Sequence, residues 1–248
     1  MFKEKLSQII ASVIQIWRSQ ATKPLFWKLS IIPILGVILT VAGLWVFLEI
    51  ADEVLEDQTQ AIDKTLMLLV ERLHSPLLDW VMRGASIIGG TVVVTLICLI
   101  LGAIFWRRKQ RVYFTALAIT AIGGTGLNLL IKQLFDRQRP QLWQITTGEP
   151  NTSSFPSGHA MLSLVIYGFI CYLLARHFRR WRWWIVSLII GLIVLIGFSR
   201  VYLGVHWFTD IIAGQAAGLT WLMACLLNLE IYRRYHQYHH HSPQSLSS

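Results

Sequence analysis

Apolar residues along this chain gather into six runs, at about Leu29 to Ile50, Gly84 to Trp106, Val112 to Ile131, His159 to Ala175, Trp183 to Phe198 and Ile211 to Leu229, and charged residues gather between them. A membrane-crossing helix needs about 20 predominantly apolar residues. Each run therefore predicts one crossing, the last two near the short end of the range. Two further stretches are amphipathic. Residues 2 to 17 place Phe2, Leu6, Ile9, Ile10, Val13 and Trp17 at helical spacing with Lys3, Lys5, Ser12 and Gln15 between them, which predicts a helix lying on an anionic leaflet or docked on the protein's own core. Between the first two crossings Ile62, Leu66, Leu69, Val70, Leu73, Leu77 and Trp80 repeat the spacing with an interruption at Pro76, which predicts a second interfacial helix. The expected fold is an all-α integral membrane protein with six transmembrane helices in one bundle, and amphipathic interfacial helices at the N-terminus and between helices 1 and 2. Gly123, Gly124 and Gly126 in the third crossing are read as sites of close helix approach, and Asn128 as a buried polar group.

Composition agrees with a bilayer. The 248 residues are 54% hydrophobic and 14% charged, with a mean hydropathy of +0.54, too apolar for an ordinary soluble domain. Six crossings with short connections leave no room for a separate soluble module. The expected division is a cytoplasmic amphipathic segment (1–28), a six-helix membrane domain (29–232) and a polar cytoplasmic tail (233–248). The first apolar run has a long basic leader and is long enough to span, so it is read as a retained helix and not a cleaved signal. Cys98, Cys171 and Cys225 each sit inside an apolar run as small hydrophobes, without disulfide or zinc spacing. Clustered His239, His240 and His241 are read as a polar frayed terminus before a metal site.

The formal charge of +9 comes from short basic clusters beside apolar runs, a topology signal and not a nucleic-acid surface. With both termini cytoplasmic, 15 of the 22 Lys and Arg fall on the cytoplasmic side. The other side holds Lys64, Arg72, Arg83, Lys132, Arg137, Arg139 and Arg200. Four of these seven lie in the two connections after crossings 3 and 5, which alternation places on one face. Cations held there against the general rule point to an anionic ligand.

The chemistry centres on Ser199 to Asp210. If the last crossing begins near His206, Asp210 lies one helical turn on, where its carboxylate can bond the imidazole and leave the other ring nitrogen as base or nucleophile. Arg200 adds a forked cation suited to phosphate oxygens. Two more phrases lie in connections on the same face: Lys132 with Arg139-Pro140 seven residues on, and Pro156-Ser157-Gly158-His159. Each residue has an ordinary reading as well. Lys132 snorkels from a helix end, Pro156 and Ser157 start a helix, and His159 is an interfacial polar residue. Arg137, Asp136, Trp143, Glu149 and Trp207 lie near the phrases as shapers of the pocket or only of its loops, and are left outside the catalytic set.

The three phrases, in this order and spacing, resemble the type-2 phosphatidic acid phosphatase superfamily, in particular its membrane-bound bacterial branch. The resemblance covers roughly residues 60 to 230 with every motif position matched. It implies that His206 is the nucleophile, that Asp210 orients it, and that His159 is the general acid and later the base. Lys132, Arg139 and Arg200 would surround the phosphoryl oxygens without a metal or other cofactor. Ser157 and Gly158 would add a hydroxyl and a close backbone approach at a helix start. The implied function is a metal-independent lipid phosphatase cleaving a phosphomonoester or pyrophosphate of the phosphatidate, phosphatidylglycerophosphate or undecaprenyl pyrophosphate class. A phosphotransferase using the same residues, and a non-catalytic anion-binding transporter or scaffold, stand beside it. The expected partners are a lipid phosphate and the bilayer, not nucleic acid. The expected location is a bacterial inner membrane with the site facing the periplasm.

Overall fold

A computed structural model describes residues 24–143 and 152–240, with side chains over 33–143 and 152–234. The expected N-terminal helix at 2–17, Glu149 and His241 lie outside these residues. The described chain is helical, with no strand among its residues. The order is α1 (Pro24–Leu55), α2 (Gln60–Glu71), α3 (Pro76–Ile88), α4 (Thr91–Arg107), α5 (Arg111–Leu134), α6 (Gly158–His177), α7 (Arg182–Tyr202) and α8 (Phe208–His240). Helices α1 (from Pro33), α5, α6, α7 and α8 are each long and apolar enough to cross a membrane. Helices α3 and α4 meet the same criterion only when taken together as a bent pair, which brings the candidate crossings to six. Apolar side chains such as Ile38, Val41, Trp45, Ile122, Leu130 and Leu188 point outward, as they must where the surrounding solvent is lipid.

The expected second crossing is corrected. The second crossing is not one helix from Gly84: α3 and α4 meet at 45° around Gly89 and Gly90, where Gly90 is extended (φ −71°, ψ 154°). Two consecutive glycines supply no side chain to hold a helix and lose the most backbone entropy in one. The break is compensated, since Tyr167 Oη donates to the Ile88 carbonyl at 2.7 Å. The α2 helix forms and ends before Pro76, and most of its apolar stripe faces outward, as an interfacial helix requires. Ile62, Leu69, Leu73 and Leu77 are exposed, and the residues turned into the protein are Asp63, Met67 and Val70. Ser75 caps α3, accepting from the Leu78 amide at 3.4 Å with Pro76 at the first helical position. At the other end of the bundle α8 continues helically through His240, past Arg233 where a frayed tail was expected to begin.

Helices α6 and α8 form the centre of the bundle. They approach through Gly214 and Gly218, whose absent side chains leave room for the Ser157 and Met161 carbonyls: a Cβ would come within 2.7 Å of the first and 2.8 Å of the second. This small-xxx-small spacing lets two backbones touch in lipid. Helix α1 lies along α8 in the same way, Gly36 against Leu227 and Gly43 against Thr220 and the Ala216 carbonyl. In α5, Gly123 and Gly124 receive the Trp221 ring, whereas Gly126 faces open space and serves no packing. Asn128 is buried and donates to Met161 Sδ at 3.5 Å.

A Gly218→Val substitution drives a side chain into backbone, which costs about 1–3 kcal/mol of overpacking. The apparent Tm in detergent should fall by roughly 2–12 °C for a chain of this size. Gly126→Val should leave it within about 2 °C. Thermal unfolding of the two purified variants checks both.

Candidate active site

The turn between α7 and α8 presents His206. After Tyr202 the chain closes tightly, Leu203 N–H donating to the Ser199 carbonyl at 2.9 Å, and Val205 and His206 N–H to the Arg200 carbonyl at 3.1 and 3.3 Å. Gly204 makes this possible: its φ is +75°, and a Cβ would lie 2.0 Å from the Trp143 carbonyl oxygen, so an L side chain is excluded twice over. His206 is 2% exposed and Asp210 is fully buried. His206 lies two residues before α8, and Asp210 sits in the helix's first turn. The carboxylate nevertheless spans the gap, with Oδ2 3.3 Å from His206 Nδ1 and accepting from the Trp207 amide at 3.0 Å. An ionised carboxylate can only accept, so Nδ1 carries the proton and Nε2 keeps its lone pair.

The other phrases arrive at the same end of the bundle. Ser157 N–H donates to the Asp210 carbonyl at 3.1 Å, stitching the start of α6 to the start of α8. Ser157 Oγ caps α6, accepting from the Ala160 amide at 3.4 Å, and Gly158 leaves space that Asn128 Oδ1 occupies, 3.1 Å from where a Cβ would stand. His159 follows on α6, its Nε2 beside Gly90, 3.7 Å from a Cβ there. Arg200, 2% exposed, donates from Nη1 to Ser86 Oγ at 2.5 Å, four residues before Gly90. Arg139 Nη1 donates to the Val205 carbonyl at 3.0 Å, adjacent to His206. Lys132 Nζ donates to the Ser153 carbonyl in the loop leading to Ser157. Positions 132, 139, 157, 158, 159, 200, 206 and 210 thus share one end of the bundle, and the first turn of α6 brings its positive dipole there too.

One part of this site was not assigned from sequence. Arg137 Nη1 donates to Asp210 Oδ1 at 2.5 Å and to Thr209 Oγ1 at 2.8 Å, and its Nη2 to Asp63 Oδ2 at 2.7 Å and Thr59 Oγ1 at 2.8 Å. Asp63 also accepts from Thr209 N–H at 3.0 Å and from its hydroxyl at 2.5 Å. A usable signal existed: Asp63 shares a helical face with Met67 and Val70, a carboxylate on a buried stripe. Trp207 covers Arg137 with its ring (5.7 Å) and donates from Nε1 to the Gln138 carbonyl at 2.8 Å. Trp143 Nε1 donates to the Tyr202 carbonyl at 3.1 Å. Both indoles are thus tied to backbone in the segments that carry the site residues.

Residues 111–234 match the PAP2 superfamily model. The chain is also 33% identical over 179 residues to phosphatidylglycerophosphatase B of Bacillus subtilis, covering 70% of this chain and 86% of that protein. The chain belongs to the PAP2 superfamily. An undecaprenyl-diphosphatase of Sulfolobus acidocaldarius is 39% identical over 84 residues, 33% of this chain and 36% of that protein. Among solved structures, the transmembrane PAP2-type phosphatidylglycerolphosphate phosphatase from Bacillus subtilis superposes with a TM-score of 0.69 at 28% identity, covering 75% of this chain and 94% of that one. This PAP2 protein is a multi-pass membrane lipid phosphatase, an all-α bundle of the expected kind.

Electrostatics at His206 favour the neutral ring. Burial pushes the His206 pKa down to about 4, Arg200 and Arg139 push the same way, and Asp210 opposes them. The unfolded chain's imidazole binds a proton as pH falls through about 6.5, while the folded one does so only near 4. Between these values the unfolded state holds more protons, so stability falls as pH falls across the window and is level above it. Thermal unfolding in detergent should show this loss between pH 6.5 and 4, and His206→Ala should flatten it.

Proposed function

We propose that this PAP2 protein hydrolyses a phosphomonoester or pyrophosphate of a membrane lipid by covalent catalysis at His206. The observation that carries the reading is the buried His206–Asp210 pair beside Arg139 and Arg200, with Nδ1 held by the carboxylate and Nε2 left nucleophilic. The Nε2 lone pair attacks phosphorus and the bond from phosphorus to the lipid oxygen breaks. His159 gives its proton to the departing oxygen. The same imidazole then takes a proton from water, whose oxygen attacks the phosphohistidine. The phosphorus–nitrogen bond breaks, inorganic phosphate leaves, and His206 is regenerated. Arg139, Arg200 and Lys132 spread the charge of the phosphoryl oxygens, which fixed cations do well in a site shielded from water. Ser157 and Gly158 hold the first turn of α6 with its positive end toward those oxygens.

A lipid substrate fits the surroundings. Helices α2 and α3 and the turn between them, which flank the site, carry exposed Leu68, Leu69, Leu73, Leu77 and Trp80, a surface that stays in the bilayer while the head group meets the cations. The substrate class is phosphatidate, phosphatidylglycerophosphate or undecaprenyl pyrophosphate. The basic clusters at 107–111, 176–182 and 233–234 lie at the opposite end. They support a site facing away from the cytoplasm, in a bacterial inner membrane.

Purified protein should release phosphate from at least one of these lipids with EDTA present. His206→Ala should abolish release, and His159→Ala should slow it about 10²–10⁴-fold while labelled phosphate accumulates on His206. Absence of turnover on all three lipids, or turnover by His206→Ala, overturns the reading. Orientation is tested separately with the native cysteines replaced by serine. A membrane-impermeant maleimide should label Thr152→Cys in intact spheroplasts and reach Arg179→Cys only after lysis.

A further inference from the structure

The mechanism above leaves one buried charge cluster without a task. Arg137 stands two residues before Arg139 in the same phrase, yet its fork is committed elsewhere. An arginine has four N–H donors on its two terminal nitrogens. Here those nitrogens meet four protein oxygens, on Asp210, Thr209, Asp63 and Thr59, at 2.5–2.8 Å. Turning toward a substrate phosphate would strip the cation from two fully buried carboxylates. Thr59 is the residue at the start of α2, and its side chain makes no capping bond to that helix. It accepts from Arg137 in place of doing so.

We infer that Asp63 and Arg137 are positioning residues for the nucleophile: Asp63 on α2 fixes Arg137, Arg137 fixes Asp210 Oδ1, and Asp210 Oδ2 then aims His206. The inference rests on the phosphohistidine reading above and extends it to a helix outside the stretch matched by the family. A carboxylate bonded through one oxygen alone can swing about its last torsion, carrying the imidazole off line. With Oδ1 held by the guanidinium, the carboxylate plane is set, and a misplacement as small as ~1 Å in such a site costs about 100-fold in rate. The guanidinium also draws charge from Asp210 and so limits how strongly that carboxylate retains a proton on the imidazole. The charged groups acting on His206 are then Asp210 from α8, Arg200 from α7 and Arg139 from the connection after α5, with Arg137 and Asp63 acting through Asp210. Because α2 turns Ile62, Leu68 and Leu69 outward, the helix that touches the lipid surface is the one that braces the nucleophile.

The test uses the full-length protein in detergent, comparing wild type with Asp63→Asn, Arg137→Gln, Arg137→Lys and the double variant Asp63→Asn/Arg137→Gln. Two readouts are taken: kcat and KM for lipid phosphate release, and the protonation midpoint of His206 from hydrogen–deuterium exchange at its ring carbon. Asp63→Asn and Arg137→Gln should lower kcat about 10–100-fold with KM changed less than about 3-fold. Arg137→Lys should recover part of the loss. In Arg137→Gln the unneutralised Asp210 should raise the His206 midpoint by about 1 or more. The double variant removes one buried charge of each sign, so it supplies the readouts should Arg137→Gln fail to fold, with kcat still low and the His206 midpoint still raised. Unchanged kcat and midpoint in folded variants overturn the inference. A raised KM at unchanged kcat also overturns it and places Arg137 on the substrate. If wild type releases no phosphate, the phosphatase reading falls, while the midpoint shift still decides whether Arg137 acts through Asp210 on His206.

Discussion

A carboxylate cannot be taken out of water unless something of opposite charge goes with it, and the site end of this molecule is arranged around that requirement. Asp63 and Asp210 are both fully buried, and a single guanidinium lies between them at 2.7 and 2.5 Å. Removing one partner of a buried pair costs about 3–5 kcal/mol, because the charge left behind has neither water nor a counter-ion. The pair of acids therefore holds three separate parts of the chain together: the helix after the first crossing, the connection after α5 and the first turn of α8. The imidazole of His206 enters this balance as a neutral group, since burial and two neighbouring cations disfavour a further positive charge.

The rest of the bundle serves to bring those three parts to one place without stranding backbone groups in lipid. Close approach of α6 and α8 at Gly214 and Gly218 sets the height of the α6 start against the α8 start, and one backbone bond, Ser157 N–H to the Asp210 carbonyl, locks it. The bent α3–α4 crossing interrupts its own ladder, yet the Ile88 carbonyl is met by Tyr167, and the bend sets Ser86 against Arg200 and Gly90 beside His159. Irregular backbone at this depth is tolerated where protein surrounds it.

Much of this was legible beforehand, for a physical reason. Six apolar runs are forced by bilayer thickness, and the three polar phrases stand out because charged groups beside crossings are costly. His206 with Asp210 could be argued from spacing alone. What escaped was everything whose meaning lies in a distant partner. Asp63 sits among acidic residues in a segment with a strong outward apolar stripe, so its inward face was hidden by Ile62, Leu66 and Leu69. Arg137 looked like one more cation beside Arg139, and only contact with Asp63, seventy-four positions away, separates their duties. The α3–α4 bend was missed because Gly89 and Gly90 fall within an otherwise continuous apolar run, where hydropathy does not register backbone conformation.

The tryptophans and arginines at the end remote from the site give the protein a fixed depth. Trp106, Trp181, Trp183 and Trp184 are exposed there, and Arg182 stacks on Trp183 at 4.9 Å. From that belt α7 rises through 21 residues, a length of about 31 Å, which matches a hydrocarbon core of about 30 Å. The bundle acts as a gauge rod: seated by its aromatic foot in one headgroup layer, it delivers Arg200 and the ring that follows it to the level of the other. Reach into the far leaflet is set by the thickness of the sheet it stands in, so the same polypeptide in a thinner bilayer would hold the His206 ring above the headgroup layer.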